Sequence, residues 1–221
     1  MWAVAWCAVG AAIGWFGHAW VINLVRIRDR AVLEPRPPGW LTRATITAGS
    51  ALPGTIGAAS LPLTLKVTLF IAGVLTWWLA CIDAVIHRLP DPLIGILAGV
   101  VVGGYSLTYL TNDMPVKTLL TAAIGGVVAM LGFLALALIR AGAMGFGDVK
   151  LAGVLGFATA WFGWQTLAHW VLLSFITAGL AAIILILARR VRAADSIAFG
   201  PWLVLGAAIA IVLSLVEGVT H

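Results

Sequence analysis

The sequence predicts an all-α fold, a polytopic transmembrane helical bundle of eight spans with no soluble domain. Three observations predict it. Of the 221 residues, 62% are apolar and 10% charged, and the mean hydropathy is +1.11, which leaves too little polar surface to cover a globule in water. Apolar stretches of roughly twenty residues, the length that crosses a bilayer as a helix, recur along the chain between short loops. The basic residues gather in those loops, on one predicted side of the membrane. The formal net charge of +5 is therefore an orientation signal and not a nucleic-acid patch.

The first span covers residues 3–25, with no basic residue ahead of it and Arg26, Arg28 and Arg30 behind it. A cleaved signal peptide carries its positive charge first, so this pattern predicts a retained span with its N-terminus outside. His18 within it reads as a packed residue, since nothing nearby completes a metal set. The loop from Arg26 to Arg43 holds Glu34-Pro35-Arg36-Pro37-Pro38-Gly39, whose prolines exclude a continuous helix. Residues 44–65 carry no charge but contain Pro53, Pro62, Gly49, Gly54 and Gly57. The charge distribution decides for a span there. With it, Arg26, Arg28, Arg30, Arg36, Arg43, Arg88, Arg140, Arg189, Arg190 and Arg192 fall inside and only Lys66 and Lys117 outside. Without it, every later loop flips and the positive-inside bias is lost.

The remaining spans are predicted over 67–87, 93–111, 118–139, 149–164, 166–188 and 199–216. Small residues such as Gly99, Gly103, Gly104, Gly125 and Gly126 allow close helix packing in lipid. Cys7 and Cys81 both fall in apolar stretches without a CxxC partner, which argues against a zinc site and a disulfide framework and leaves two buried thiols.

Two acids stand out in a chain so poor in charge. Asp83 lies inside Trp77-Trp78-Leu79-Ala80-Cys81-Ile82-Asp83, one turn from the inner end of its span. Asp148 lies in Ala143-Met144-Gly145-Phe146-Gly147-Asp148-Val149-Lys150-Leu151, at the inner start of another. An ionised carboxylate at membrane depth costs at least about 2.5 kcal/mol, so each is a candidate functional residue. The predicted topology brings both to the same membrane edge. Two neighbouring carboxyls share one proton more easily than they both ionise. The ionised member can take a proton from water while the protonated one polarises a carbonyl, which is acid–base hydrolysis of an amide without a covalent intermediate, and that mechanism needs no metal or organic cofactor. The residues equally allow separate structural acids, with Asp83 paired to His87 four positions on.

Gly142, Gly145 and Gly147 permit turns closed to other residues and close approach of another chain. They also fit a loop entering a helix capped by Asp148. Lys150 fits a residue that tunes the acids or holds a substrate acid, or a lysine reaching to headgroups. In Arg88-Leu89-Pro90-Asp91-Pro92, Asp91 followed by Pro92 predicts an N-cap and a first helical residue. His169 falls in the outer half of a span, far from the acids.

Together, Ile82-Asp83 with Leu89-Pro90-Asp91, then Met144-Gly145-Phe146-Gly147-Asp148-Val149-Lys150-Leu151, and finally Phe199-Gly200-Pro201 resemble the type IV prepilin peptidases, the GxGD class of intramembrane aspartic proteases. Gly156 to Trp164-Gln165 resembles the segment after the second acid, and Asn23 with Arg26 and Arg28 the end of the first span. The likeness covers residues 77–205 of a single domain, 1–221. It implies that Asp83 and Asp148 are the catalytic pair, with Gly145, Gly147, Lys150 and Asp91 in support. It also implies cleavage, at the cytoplasmic edge of the inner membrane, of a short basic leader from prepilin-like protein substrates. Basic leaders would then meet a basic inner face, a repulsion that anionic membrane lipid can relieve. Many larger members carry a cysteine-rich loop linked to N-methylation. The loop Arg26–Arg43 has no cysteine, so zinc and methyltransferase activity are not expected. Ile94 stands where a threonine is common, and Ala198 where a proline often precedes Phe-Gly-Pro. Two other readings use the same acids: a transporter with a proton or cation site, and an inactive pilus-assembly factor.

Overall fold

The computed structural model describes residues 7–13, 61–86, 88–139, 144–188 and 198–216. Among them there is no β-strand, and six long helices carry the fold: α1 (Leu63–Ile86), α2 (Asp91–Thr111), α3 (Val116–Ile139), α4 (Phe146–Ala160), α5 (Trp164–Leu187) and α6 (Gly200–Val216). Residues 7–13 are helical as well. Each of the six falls within a few residues of a predicted span. The predicted spans 3–25 and 44–65 lie outside the described residues, apart from 7–13 and 61–65, and so does His87.

Four helices, α1, α2, α3 and α5, are long and apolar enough to cross a membrane. The chain is a helical membrane protein. Its outward faces agree, for Leu110, Leu120, Val127, Leu131, Leu180 and Ile183 are all more than half exposed, as side chains meant for lipid would be. The other two helices are short, as their predicted spans already were. At 1.5 Å per residue, the 15 residues of α4 reach about 22 Å and the 17 of α6 about 25 Å, against roughly 30 Å of hydrocarbon. Burial explains why α4 can be short. It touches α2, α3, α5 and α6, and Leu151, Ala152, Thr159 and Ala160 are wholly enclosed, so its neighbours and not lipid set its length.

Small residues let α3 and α4 run against each other. A side chain at Gly125 would collide with Ala160, and one at Gly156 with Ala129, while at Gly126 it would lie 3.0 Å from the Gly153 carbonyl. These pairings run in opposite directions along the two helices, so α3 and α4 are antiparallel. Gly104 is likewise closed by Thr68 of α1, whereas Gly99 and Gly103 meet nothing within 4 Å. The expectation of close packing therefore holds for Gly104, Gly125 and Gly126 and fails for Gly99 and Gly103, because helix periodicity turns the latter two away from the described neighbours.

Polar side chains inside the bundle are satisfied mostly within it. Tyr105 of α2 is fully buried and donates to the Ala158 carbonyl of α4 at 3.3 Å, with its ring 4.6 Å from Trp161. Trp170 of α5 donates its indole N–H to the Leu203 carbonyl of α6 at 3.0 Å. Thr108, Thr159 and Ser174 return their hydroxyls to carbonyls four residues earlier. The turn from α4 to α5 passes through Gly163 at φ 118°, a left-handed backbone that a side chain would strain.

Candidate active site

The N-termini of α2, α4 and α6 and the C-terminal end of α1 meet at one end of the bundle, as three cross-helix contacts establish. Lys150 Nζ of α4 lies 2.9 Å from Asp91 Oδ1 of α2. The Gly200 N–H of α6 donates to Asp83 Oδ2 of α1 at 3.0 Å. A Cβ on Gly147 of α4 would lie 2.9 Å from that of Leu89, in the turn between α1 and α2. Lys66 and Lys117, at the starts of α1 and α3, lie at the opposite end.

Asp83 is 4% exposed and Asp148 8% exposed. Both are held at this end of the bundle, Asp83 by the N-terminus of α6 and Asp148 by that of α4. Asp148 sits in the first turn of α4, where Oδ2 accepts from the Gly145 N–H at 3.3 Å. Its other oxygen, Oδ1, is buried without a hydrogen-bond partner among the described residues. Both carboxyls therefore lie at helix N-termini, Asp148 on its own helix and Asp83 on that of α6. Backbone N–H groups and the positive dipole end of a helix offset part of the cost of burying such groups. The acids expected at one membrane edge thus lie at one end of the bundle.

The surrounding motif residues do different work from what their spacing suggested. Asp91 is not the N-cap of α2. Pro90 holds that position with φ −70° and ψ 119°, no side-chain cap bond forms, and Asp91 is the first helical residue. Its carboxylate goes to Lys150, with the two side chains 60% and 52% exposed. Lys150 thereby ties α4 to α2 across the rim of the site.

Neither Gly145 nor Gly147 adopts a positive φ. Gly145 is extended at φ −74°, open to any residue, and a Cβ there would meet Asp148 Oδ2 at an ordinary 3.6 Å. The expectation of special turns fails at both, and what Gly147 admits is a close approach within the chain, by Leu89. Gly142 lies outside the described residues.

The residue that sequence reasoning passed over is Gly200. A Cβ there would stand 2.6 Å from Asp83 Oδ2 and 3.1 Å from its Cγ, so any other residue would force α6 or the carboxyl to shift. Phe199 anchors the turn by packing its ring 5.4 Å from that of Phe175 and 6.2 Å from that of Phe133. Its carbonyl accepts from the N–H groups of Trp202 and Leu203, which leaves Pro201 in the first turn of α6, where its missing N–H costs nothing. The motif Phe199-Gly200-Pro201 was visible in the sequence as a likeness. Its contact with Asp83 was not, since no spacing rule links positions so far apart. His169 is exposed near the start of α5, at the end away from the acids, and Cys81 is half-buried in α1.

Comparison with known proteins identifies relatives for much of the chain. The type IV leader peptidase family matches residues 69–185. The prepilin leader peptidase/N-methyltransferase of Dickeya chrysanthemi is 32% identical over 145 residues, which is 65% of this chain and 49% of that protein. The protein of the same description from Pseudomonas putida is 30% identical over 144 residues, 62% of this chain and 47% of its own length. That of Aeromonas hydrophila is 43% identical over 68 residues, 31% of this chain and 22% of its own. This chain spans about half the length, or less, of the curated relatives it matches. No solved structure matches it. A helical membrane bundle that gathers the Asp83, Gly147-Asp148 and Gly200 stretches at one end, matched by that family over more than half of its length, belongs to the type IV leader peptidase family.

Proposed function

We propose that this protein is a membrane-embedded aspartic endopeptidase that cuts the short basic leader from type IV prepilin-like substrates. The observation that carries the reading is the burial of two carboxyls from distant helices at one end of the bundle, each bonded through Oδ2 to a backbone N–H. In this mechanism one proton is shared by the pair. The ionised carboxyl takes a proton from a water molecule, and the water oxygen attacks the scissile carbonyl carbon. The protonated carboxyl donates to the carbonyl oxygen. Collapse of the tetrahedral intermediate passes a proton to the leaving amine nitrogen and returns the pair to its starting state. The backbone bonds from Gly145 and Gly200 act as positioning contacts, holding the carboxyls while Asp148 Oδ1 faces the water or the shared proton. Gly147 and the Asp91–Lys150 pair hold α4 in register with α1 and α2. No metal or organic cofactor takes part, and N-methyl transfer is no part of the activity.

The whole chain, 1–221, acts as one domain of eight spans with its N-terminus outside. The positive-inside distribution then puts Arg88 and Lys150, with both acids, at the cytoplasmic edge of the inner membrane. Leader junctions reach that edge when the substrate's apolar helix lies in the bilayer beside the enzyme, and anionic lipid offsets the repulsion between basic leader and basic face. The test is co-expression with a prepilin-like substrate, following the mobility shift on leader loss. Wild-type protein should convert the substrate, while Asp83→Asn and Asp148→Asn should each slow conversion by about 10² to 10⁴ fold. Wild-type conversion by either variant would remove that residue from the mechanism.

A further inference from the structure

A cavity of about 650 Å³ opens between α1 and α6, backed by Leu97, Val101 and Tyr105 of α2 and Leu155 and Ala158 of α4. It runs from Ala84 and Pro201, which flank the Asp83–Gly200 bond, to Leu69 and Val212 at the far end. Fifteen residues of α1 separate Leu69 from Ala84, so the groove is about 22 Å long. Its walls are apolar, and the Thr76 hydroxyl within them is returned to the Gly73 carbonyl at 3.0 Å. Both walls carry small residues, Ala72, Gly73 and Ala80 on α1 and Ala207 and Ala208 on α6. Small side chains on facing walls let a further helix approach to backbone distance in lipid.

We infer that this groove seats the apolar helix of the substrate, with the peptide to be cut leading from its inner end onto the carboxyls; the inference rests on the peptidase reading above. Continuity with the acids is what selects this occupant. A second groove, of about 420 Å³ between α2, α3 and α4, is bordered at its rim by Asp91 and Lys150, whose side chains are joined there. A helix lying in that groove would end at the ion pair and not at the carboxyls. A lipid acyl chain would fit the apolar walls of the first groove but has no reason to end at a carboxyl pair.

The test compares two substrates on the purified full chain in liposomes: a prepilin-like protein with its apolar helix intact, and a soluble peptide holding only the leader and junction. Ala208 is exposed on the groove rim, eight residues along α6 from Gly200, so bulk there does not touch the acids. Ala208→Trp should raise KM for the helix-bearing substrate at least about fivefold by overfilling the groove, with kcat/KM for the soluble peptide unchanged. Leu180→Trp, on the outward face of α5, should change neither. As a second measurement, Cys81 in a Cys7→Ala background should form a disulfide with a cysteine placed in the substrate's apolar helix. A cysteine at position 180 of a Cys81→Ala, Cys7→Ala chain should not. Equal KM for wild type and Ala208→Trp, or equal cross-linking at 81 and 180, overturns the groove assignment while leaving the peptidase reading intact. Failure of the wild type to cut either substrate overturns both.

Discussion

Replacing Gly200 with alanine adds one carbon atom at the most crowded contact of the site. The new Cβ would begin 2.6 Å from Asp83 Oδ2, where ordinary contact starts at 3.4 Å, so α6 or the carboxyl must retreat by about 0.8 Å. Retreat of α6 stretches the 3.0 Å bond from the Gly200 N–H, and retreat of the carboxyl displaces it relative to Asp148. A misplacement near 1 Å costs a reaction that depends on aligned groups about 10² fold. Overpacking of one methyl group costs folding only about 1–3 kcal/mol. Gly200→Ala should therefore lose about two decades of kcat on a prepilin-like substrate while remaining folded and membrane-inserted. Gly99→Ala is the matched control, since its Cβ meets nothing within 4 Å, and should keep full activity. Cleavage kinetics in liposomes, with thermal unfolding followed on the same samples, separate the two quantities. Wild-type kcat in Gly200→Ala would refute the claim that this N–H positions Asp83.

Gly147→Ala should reduce both stability and kcat, because its Cβ would stand 2.9 Å from that of Leu89. Leu89→Ala leaves that Cβ in place but removes the chain beyond it, so the double variant should recover only part of the loss, which a double-mutant cycle on kcat would measure. Lys150→Met and Asp91→Asn break an ion pair whose members are 52% and 60% exposed, so each should cost at most about 1 kcal/mol of stability. A larger fall in KM-independent rate for Lys150→Met than for Asp91→Asn would show Lys150 acting on the substrate instead of on α2. Gly163→Ala forces a left-handed alanine at φ 118° and should lower stability by about 1–2 kcal/mol with kcat unchanged, since this turn lies at the other end of the bundle.

Much of the bundle was legible from the sequence because lipid imposes one rule on every span. Apolar length alone found α1, α2, α3 and α5 to within about four residues at either end. The span at 149–164 is found at nearly its predicted length but about three residues earlier, since α4 runs from Phe146 to Ala160. A helix enclosed by protein does not need the full bilayer thickness, and enclosure does not show in hydropathy. The acids were legible as candidates because charge is so costly in lipid that each needed a reason, and the loop charges put them at one edge. What stayed hidden were contacts between elements distant in the chain. Asp91 followed by proline looks like a cap, and local geometry alone cannot reveal that Lys150 stands opposite. Glycine in a loop suggests a turn, but Gly147 and Gly200 are needed for what presses on them, Leu89 and Asp83. Spacing along one chain carries no record of which faces meet, and in this bundle the meeting faces make the site.

The account's central claim is that the carboxyls of α1 and α4 act as one unit on one peptide bond. Measuring kcat/KM for Asp83→Asn, Asp148→Asn and the double variant on a single purified substrate tests it most directly. Residues that work as a unit are strongly non-additive, so either single change should cost about 10² to 10⁴ fold and the double change little more. Losses that multiply in the double variant, or a single variant that keeps its rate, would contradict it.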